Sequence, residues 1–274
     1  MASGLSAEQV DTFARDGLLF PLPALSGAEV AHYRAAFERL RVRLGGSPKA
    51  SGMSQPQLHY RWAYDLATHP AVLDAIEPLL GPDLLVHSAS IFAKSAHDPS
   101  FVSWHQDGYY WRLSEPLLIS AWVALAESHA ANGCMRALPG SQHTEVPHGE
   151  AFGEPHNMLA SGLHVAAAVD ESRAVDVVLA AGEISLHHLN LIHSSNPNRS
   201  PEERIGFAIR YTVPGVRQAL PHHAVVLARG HDESGGFALL ARPPSDDLEE
   251  GVAAQQQFLS WHRRVRLPGQ GGHG

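Results

Sequence analysis

A histidine and a carboxylate stand two residues apart in the run Val102-Ser103-Trp104-His105-Gln106-Asp107-Gly108. The run is typical of a β-strand, in which residues two apart point to the same face. His105 and Asp107 could then reach one metal ion together. An imidazole and a carboxylate offered in this way are two of the three ligands of a 2-His-1-carboxylate site, which holds non-haem Fe(II) and leaves positions open for other ligands.

A third ligand is needed, because a chain with 19 histidines produces such pairs by chance. The segment from Gly182 to Asn196 offers three candidates. His187 and His188 are predicted to face opposite sides of a strand, and either could bind metal on composition alone. His193 ends the apolar run beside small polar residues, where catalytic ligands are often carried. A lone histidine there is more often structural, but together with His105 and Asp107 upstream and an arginine downstream we favour it as the third ligand.

An arginine follows the third histidine candidate at a suitable distance. Arg204 lies eleven residues after His193 and opens the strand-like run Arg204-Ile205-Gly206-Phe207-Ala208-Ile209-Arg210-Tyr211-Thr212. Alternation places Gly206 and Ala208 on the face of Arg204, and these small residues leave space in front of it. A guanidinium beside an open iron position would clamp a carboxylate through two oxygens. The alternative is a surface arginine paired with Glu202 or Glu203.

A polar stripe also marks the run from Leu117 to Leu125, where Ser120 and Trp122 alternate with large apolar residues. The apolar set is expected to bury in the core of a sandwich, while the hydroxyl and the indole N–H face the lumen and complete a cosubstrate pocket. A buried serine bonded to the backbone is the alternative that this spacing leaves open.

The composition is that of a globular protein with a sizeable core, since 44% of its 274 residues are hydrophobic and 18% are charged. A net charge of −8 without any Lys/Arg cluster argues against a nucleic-acid partner. No apolar stretch is long enough to span a membrane, and the first five residues lack the features of a signal peptide. The single cysteine, Cys134, excludes a thiolate zinc cluster and indicates a reducing, cytoplasmic setting.

The secondary structure predicted to position these residues changes from helices to short strands along the chain. Helices are predicted over residues 6–15, 28–44 and 70–80, the first two opened by capping boxes. Short alternating runs follow and predict a barrel or sandwich. The predicted strands are Leu84–Phe92, Val102–Asp107, Leu117–Leu125, Met135–Leu138, Val175–Leu179, Ile184–His188 and Ile205–Val213. We predict one domain over residues 1–274, made of a helical part (about 6–80), a barrel (about 84–214) and a C-terminal extension (215–274).

Taken in order, these segments resemble the phytanoyl-CoA dioxygenase family of Fe(II)/2-oxoglutarate-dependent oxygenases. The resemblance covers about residues 85 to 214. It rests on Trp104-His105-Gln106-Asp107, Ser120-Ala121-Trp122, Asn132-Gly133-Cys134, Leu138-Pro139-Gly140-Ser141-Gln142-His143, His193-x-Ser195-x-Pro197-Asn198-Arg199-Ser200, Arg204 and Arg210-Tyr211. It implies a mainly β fold with flanking α-helices, namely a double-stranded β-helix (a jelly-roll or cupin-like barrel) with the N-terminal helices packed outside and iron at its open end.

The same resemblance assigns roles to individual residues. It implies that His105, Asp107 and His193 are the catalytic iron ligands, and that Arg204 anchors the distal carboxylate of 2-oxoglutarate. The supporting cosubstrate contacts that it implies are Ser195, Ser120, Trp122 and Ser90. The expected cofactors are Fe(II), 2-oxoglutarate and O2, with ascorbate as an accessory reductant in vitro.

The expected reaction is hydroxylation of a small molecule with release of succinate and CO2. The same oxidant could carry out epoxidation, desaturation, ring closure or halogenation. Asp107 disfavours halogenation, because related halogenases have Gly or Ala at that position and bind chloride there. The rival hypotheses are another metal chemistry without 2-oxoglutarate, against which Arg204 argues, and a non-catalytic metabolite-binding barrel, against which the intact ligand set argues.

Substrate contacts are predicted on two segments. Tyr109, Tyr110, Trp111 and Arg112 directly follow the first ligand motif and should line the approach to iron, while His59 and Arg61 could add polar contacts. An ordinary packing or surface role is the alternative for each of them. No strongly basic patch suits the phosphates of CoA, which favours a small polar metabolite or a natural-product intermediate. The oligomeric state is left open.

Overall fold

Helices open the chain and strands follow them. The computed structural model describes residues 4–46, 54–159, 161–218, 224–245, 249–254 and 256. Within these residues the chain forms the α-helices α1 (Ala7–Asp16), α2 (Gly27–Arg43), α3 (Arg61–Ala67), α4 (Pro70–Leu80) and α5 (Gly108–Trp111), and residues 249–254 are helical as well. The strands are β1 (Leu18–Pro23), β2 (Leu84–Lys94), β3 (Val102–His105), β4 (Leu118–Ala124), β5 (Met135–Ala137), β6 (His148–Gly149), β7 (His164–Val165), β8 (Val175–Val177), β9 (Glu183–His188), β10 (His193–Ser195), β11 (Arg204–Thr212) and β12 (Val226–Arg229).

The first two helices begin where their capping boxes predict. The Ser6 and Ser26 side chains accept hydrogen bonds from the backbone N–H three residues on, and the Gln9 and Glu29 side chains reach back to the N-cap backbone. These reciprocal bonds satisfy N–H groups that a helix end otherwise leaves unpaired. α3 was not predicted, because it has no side-chain cap and therefore no start signal in the sequence.

Ten of the strands form two facing antiparallel sheets, and β6 and β7 pair in a separate two-stranded sheet. The major sheet has the order β1-β9-β4-β11-β2-β12, and the minor sheet has the order β3-β10-β5-β8. This is the double-sheet arrangement of a jelly roll. The major sheet is wider than the barrel predicted over residues 84–214, because β1 joins one edge from the helical part and β12 joins the other from the C-terminal extension.

Most of the large apolar side chains of the major sheet lie on its outer face. Ile119, Ala121 and Val123 belong to one buried cluster with Phe37 and Leu40 of α2. Their expected burial between two sheets is therefore wrong, since these residues pack against the N-terminal helices. The inner face of the major sheet carries small and polar residues together with Trp122 and Phe92, and it meets the minor sheet through a second, smaller apolar cluster. The inner face, which carries the predicted site residues of the major sheet, is therefore the less apolar of its two faces.

The described part of the chain holds no helix long and apolar enough to cross a membrane.

Candidate active site

Three predicted ligands meet between the two sheets. His105, Asp107 and His193 are buried, and one ligand atom of each lies within 4.8 Å of the others. The antiparallel pairing of β3 and β10 places His193 directly opposite His105, with ring centroids 4.1 Å apart. The prediction that Asp107 lies in the strand is wrong, because β3 ends at His105 and Asp107 has helical backbone angles as the N-cap of α5. This turn still brings Asp107 Oδ1 within 3.4 Å of His105 Nε2.

Both histidines use Nδ1 to contact backbone carbonyls. His105 Nδ1 lies 2.9 Å from the Ser103 oxygen and 3.1 Å from the His193 oxygen, and His193 Nδ1 lies 2.9 Å from the Leu191 oxygen. An Nδ1–H that donates to a carbonyl leaves Nε2 unprotonated and fixes the ring, which is how metal-binding histidines are usually oriented. Two imidazole nitrogens and one carboxylate are a donor set that suits Fe(II).

The local electrostatics favour the metal-binding protonation states. Burial, together with the neighbouring His105 and His187, holds the pKa of His193 well below its ordinary value. Burial acts to raise the pKa of Asp107, but Arg210 and the surrounding imidazoles outweigh it and hold that pKa well below the usual range. The site therefore presents an ionised carboxylate beside a neutral imidazole, as metal coordination requires.

The second oxygen of Asp107 is surrounded by donors. The Ser120 hydroxyl donates to Oδ2 at 3.3 Å, Arg210 Nε lies 3.7 Å from it, and His187 Nε2 lies 3.9 Å from it. These contacts hold Oδ2 and leave Oδ1 on the side of His105, so they orient the carboxylate for binding through one oxygen. The alternation that puts Gly206 and Ala208 on the face of Arg204 extends to Arg210, to which sequence reasoning gave no role.

The choice among the three histidines of the Gly182–Asn196 segment is resolved by the strand faces. His187 points into the interior, where its ring lies 4.7 Å from that of His193. His188 points the other way, and its Nδ1 accepts a hydrogen bond from the Asn190 backbone. Only His193 of the three belongs to the group of converging ligand atoms among the described residues.

A buried guanidinium lies further along the inner face of β11. Arg204 is 2% exposed, donates from Nη1 to the Gly133 carbonyl at 2.6 Å, and stacks 5.5 Å from the centroid of the Trp122 ring. The alternative of a surface arginine paired with Glu202 or Glu203 is wrong, because Arg204 is buried and, among the described residues, Glu203 pairs with two arginines of α2 and the Glu202 carboxylate lies 3.9 Å from His129 Nε2. Within the described residues the buried Nε of Arg204 has no partner.

Burial lowers the pKa of Arg204 to about 10, which leaves the guanidinium charged at neutral pH. A buried charge without a counterion is costly, and a carboxylate satisfies a guanidinium through two parallel hydrogen bonds. The residues present therefore fit the distal carboxylate of 2-oxoglutarate.

Two glycines, Gly133 and Gly206, make room for the contacts that Arg204 makes with the Gly133 carbonyl and the Trp122 ring. Gly133 has φ +75°, and a Cβ there would lie 2.3 Å from the Asn196 carbonyl oxygen. A Cβ on Gly206 would lie 1.8 Å from Cζ2 of Trp122. The space that the sequence predicted in front of Arg204 is therefore filled by the Trp122 indole, which provides the surface on which the guanidinium stacks.

We expect Gly206→Ala to displace Trp122 and destabilise the protein by about 1–3 kcal/mol, as overpacking of a filled interior does. Affinity for 2-oxoglutarate should fall as well, because Arg204 loses its stacking surface. Urea unfolding and cosubstrate titration measure the two effects. Gly27→Ala is the matched control, since a Cβ there has no neighbour within 4 Å. Unchanged stability and affinity in Gly206→Ala would contradict this packing.

One basic residue near Arg204 was missed by sequence reasoning. Lys94 is the last residue of β2 and the register partner of Arg204, and its Nζ donates to Ser195 Oγ at 2.8 Å. The predicted strand stopped at Phe92, and two more residues of alternation would have placed Lys94 on the inner face. Ser90 lies on that face too, as the register partner of Ala208.

The predicted substrate residues lie in two places. Beside the ligand motif, the Tyr109 ring lies 5.0 Å from that of His148, and the Trp111 ring lies 4.7 Å edge-on from that of His87. Arg112 lies over the Tyr109 ring, and the Tyr110 hydroxyl is 2.8 Å from Ser161 Oγ.

The other predicted substrate segment contacts its own neighbours and the C-terminal extension. Arg61 Nε donates to the Pro243 carbonyl, and the His59 ring packs edge-on against Tyr60. Burial lowers the pKa of His59 to about 4. A role of either segment toward a substrate stays a prediction.

The family model described as Phytanoyl-CoA dioxygenase (PhyH) matches residues 13–206, which is well over half of the chain. The chain belongs to this family. Its fold and cofactors follow: this enzyme is an Fe(II)/2-oxoglutarate-dependent dioxygenase with a jelly-roll fold, and it uses O2.

Individual relatives agree with that membership. This dioxygenase is 27% identical over 229 residues to an ectoine dioxygenase of Halomonas elongata, covering 73% of this chain and 68% of the relative. It is 27% identical over 224 residues to an L-proline trans-4-hydroxylase of Streptomyces griseoviridis, covering 73% of this chain and 83% of the relative. Among solved structures, the non-heme monooxygenase ThoJ in its apo form is 34% identical, with a TM-score of 0.77 over 92% of this chain and 98% of the other.

Proposed function

We propose that this dioxygenase hydroxylates a small polar metabolite or a natural-product intermediate and couples the reaction to conversion of 2-oxoglutarate into succinate and CO2. The observation that carries the proposal is the buried His105, Asp107 and His193 set beside the buried guanidinium of Arg204, whose Nε has no hydrogen-bond partner among the described residues. The relatives named for ectoine and L-proline support a small polar substrate. A cytoplasmic location goes with it, supported by the single, buried Cys134.

The residues would divide the work as follows. His105, Asp107 and His193 would hold Fe(II) from one side, and Arg204 with Ser195 would hold the distal carboxylate of 2-oxoglutarate. Fe(II) and 2-oxoglutarate, when bound, supply the oxidising power that the protein lacks. Trp122 would support Arg204, Ser120 would orient Asp107, and Ser90 would border the cosubstrate. The protein itself contributes position and exclusion of water.

Asp107 supports oxygen insertion over halogenation within this proposal. Its carboxylate occupies the side of the site where a halide would need to bind, and Ser120, Arg210 and His187 surround its second oxygen. The hypothesis of a non-catalytic barrel is wrong, because the chain belongs to a family of enzymes.

We expect the purified protein to form a weak visible charge-transfer band when Fe(II) and 2-oxoglutarate are added without oxygen, and to release succinate once oxygen is admitted. Both are expected if His105, Asp107 and His193 hold Fe(II) and Arg204 holds the distal carboxylate of 2-oxoglutarate beside it. Anaerobic absorption spectroscopy and succinate quantification measure them, with Fe(II) alone as the control. Absence of the band at saturating 2-oxoglutarate would refute the proposed function.

A further inference from the structure

A second group of buried donors lies on the inner face of the major sheet, at the other end of β11 from Arg204. Arg210 is 8% exposed, and Ser88, its register partner on β2, is 1% exposed. Within the described residues, neither Arg210 Nε nor Ser88 Oγ has a hydrogen-bond partner. Arg210 Nη1 makes one long hydrogen bond, 3.5 Å, to the Ala208 carbonyl, and Nε lies 3.7 Å from Asp107 Oδ2. Buried polar atoms without partners are costly, so these two residues require an explanation.

The C-terminal extension adds a third donor next to them. Gln218 Oε1 lies 3.0 Å from Nε2 of His87, the residue before Ser88. The other end of this amide is the Nε2 atom of Gln218, which is buried and has no hydrogen-bond partner among the described residues. Gln218 also forms a β-bridge with Leu113, and the Ser114 N–H donates to the carbonyl of the preceding extension residue at 2.8 Å. The extension is therefore held against the segment that directly follows α5, the helix that Asp107 opens.

Three rings border this donor. His87 occupies a shift in the register of β2 with β11, and irregularities of this kind re-aim side chains. Its ring lies edge-on to two others, with centroids 4.7 Å from Trp111 at the end of α5 and 5.9 Å from Phe237 of the extension. We call the rings of Trp111, His87 and Phe237 the aromatic wall. An apolar body can pack against such a wall while its polar end meets the donors.

The chemistry of the three donors selects the polar end. A guanidinium and an amide nitrogen only donate hydrogen bonds, and a hydroxyl can donate as well. The carboxylate that pairs with Arg210 belongs to Asp107, and bound Fe(II) would take up its negative charge. Among the described residues no other carboxylate forms an ion pair with Arg210. An anionic oxygen acceptor therefore suits this group, and a carboxylate matches a guanidinium through two oxygens.

We propose that Arg210, Ser88 and Gln218 form a subsite for a carboxylate of the substrate, with the hydrocarbon part of the substrate against the aromatic wall. The proposal rests on the proposed function and gives its substrate class as a carboxylic acid. This subsite is separate from the place of 2-oxoglutarate at Arg204. Arg210 and the extension lie beyond residue 206, where the match to the family model ends. The subsite would therefore set the specificity of this chain within its family.

The test uses benzoate, which carries a carboxylate on a ring, and benzyl alcohol, which has the ring without the carboxylate. Each probe is titrated by calorimetry, without oxygen, into enzyme saturated with Fe(II) and 2-oxoglutarate. The charge-transfer band, recorded in parallel, shows that 2-oxoglutarate stays bound. Benzoate should bind with a Kd of about 1 mM or below, as a small ligand in a matching site does. It should bind at least about tenfold more tightly than benzyl alcohol, because only benzoate makes hydrogen bonds to the charged group.

Three variants separate the donors. Arg210→Met should raise the Kd for benzoate about 10- to 100-fold and the Kd for 2-oxoglutarate by much less. Gln218→Glu keeps the oxygen that faces His87 and replaces the donor by a negative oxygen, so it should preserve the fold and weaken benzoate by at least about tenfold. Ser88→Ala should weaken benzoate several-fold.

The matched control is Arg217→Met, which removes an exposed positive charge from the residue next to Gln218. Its Kd for benzoate should stay within about threefold of wild type, as expected for a change outside the subsite. The Kd for 2-oxoglutarate should stay within the same limit in Gln218→Glu and Ser88→Ala, because neither residue contacts Arg204 or the iron ligands among the described residues.

Four outcomes would overturn the proposal while wild type still forms the band. Benzoate could bind no more tightly than benzyl alcohol, or it could abolish the band and so compete with 2-oxoglutarate. Gln218→Glu could weaken benzoate no more than the control does. An equal rise of both Kd values in Arg210→Met would assign that arginine to 2-oxoglutarate. A wild-type protein without the band would instead refute the proposed function itself.

Discussion

Replacing Asp107 by glycine should abolish oxygen-dependent turnover, with succinate release falling by more than about a hundredfold. The change removes the only carboxylate of the converging ligand set within the described residues. It also leaves the Ser120 hydroxyl, the Arg210 guanidinium and the His187 ring without the oxygen that they surround. The affinity of the variant for Fe(II) should fall as well, since only two imidazoles would remain to hold the ion. Succinate assays under air and calorimetric Fe(II) titration measure these effects.

The control for this experiment is Asp11→Ala, which removes an exposed carboxylate on α1 and should leave turnover unchanged. Ser120→Ala provides a graded comparison. It keeps the ligand but removes the donor at 3.3 Å from its second oxygen, so turnover should fall by less than in Asp107→Gly. Succinate release near the wild-type rate in Asp107→Gly would show that Asp107 is not an iron ligand.

Replacing Arg204 by alanine should weaken 2-oxoglutarate binding by about two orders of magnitude or more and leave Fe(II) bound. A bidentate pair of charge-assisted hydrogen bonds is lost, each worth about 1.5–3 kcal/mol. The indole of Trp122 also loses the cation that stacks on it. Anaerobic titration of the charge-transfer band gives the Kd for 2-oxoglutarate, and calorimetry gives the Kd for Fe(II).

Arg204→Lys should recover only part of this affinity, because an ammonium lacks the planar fork that matches two carboxylate oxygens. Arg15→Ala removes an exposed arginine and should have no effect on either Kd. If Arg204→Ala lost its affinity for Fe(II) and kept its affinity for 2-oxoglutarate, the assignment of Arg204 to 2-oxoglutarate binding rather than to Fe(II) binding would be wrong.

Much of this site could be predicted from the sequence, because side-chain alternation in a strand is a strict rule. The inner face of β11 follows directly from the spacing of Arg204, Gly206 and Ala208. Helices α1, α2 and α4 lie within one residue of their predicted bounds because caps and a glycine stop mark them.

The features of the fold and the site that sequence reasoning missed depend on contacts between distant segments. Local sequence patterns carry no information about such contacts. Nothing in the sequence of β1 or β12 indicates that they would complete the edges of the major sheet. The turn at Asp107 ends β3 early, and it became visible only with the backbone angles. Lys94 was missed because the alternating apolar pattern of β2 weakens before the strand ends, while its pairing with β11 continues to Arg204.

The two arginines of the inner face stand six residues apart on one strand, β11, which spans about 20 Å between them. β11 is paired on both sides, with β2 and with β4, over most of its length. Inserting a single residue in the middle of β11 would turn one of the arginines from the interior toward the helices, and the paired neighbours would resist any compensating slip. Loops that join the strands carry no such constraint. Evolution could therefore reshape the substrate entrance by lengthening or shortening loops, while the reacting centre tolerates no change in the length of β11.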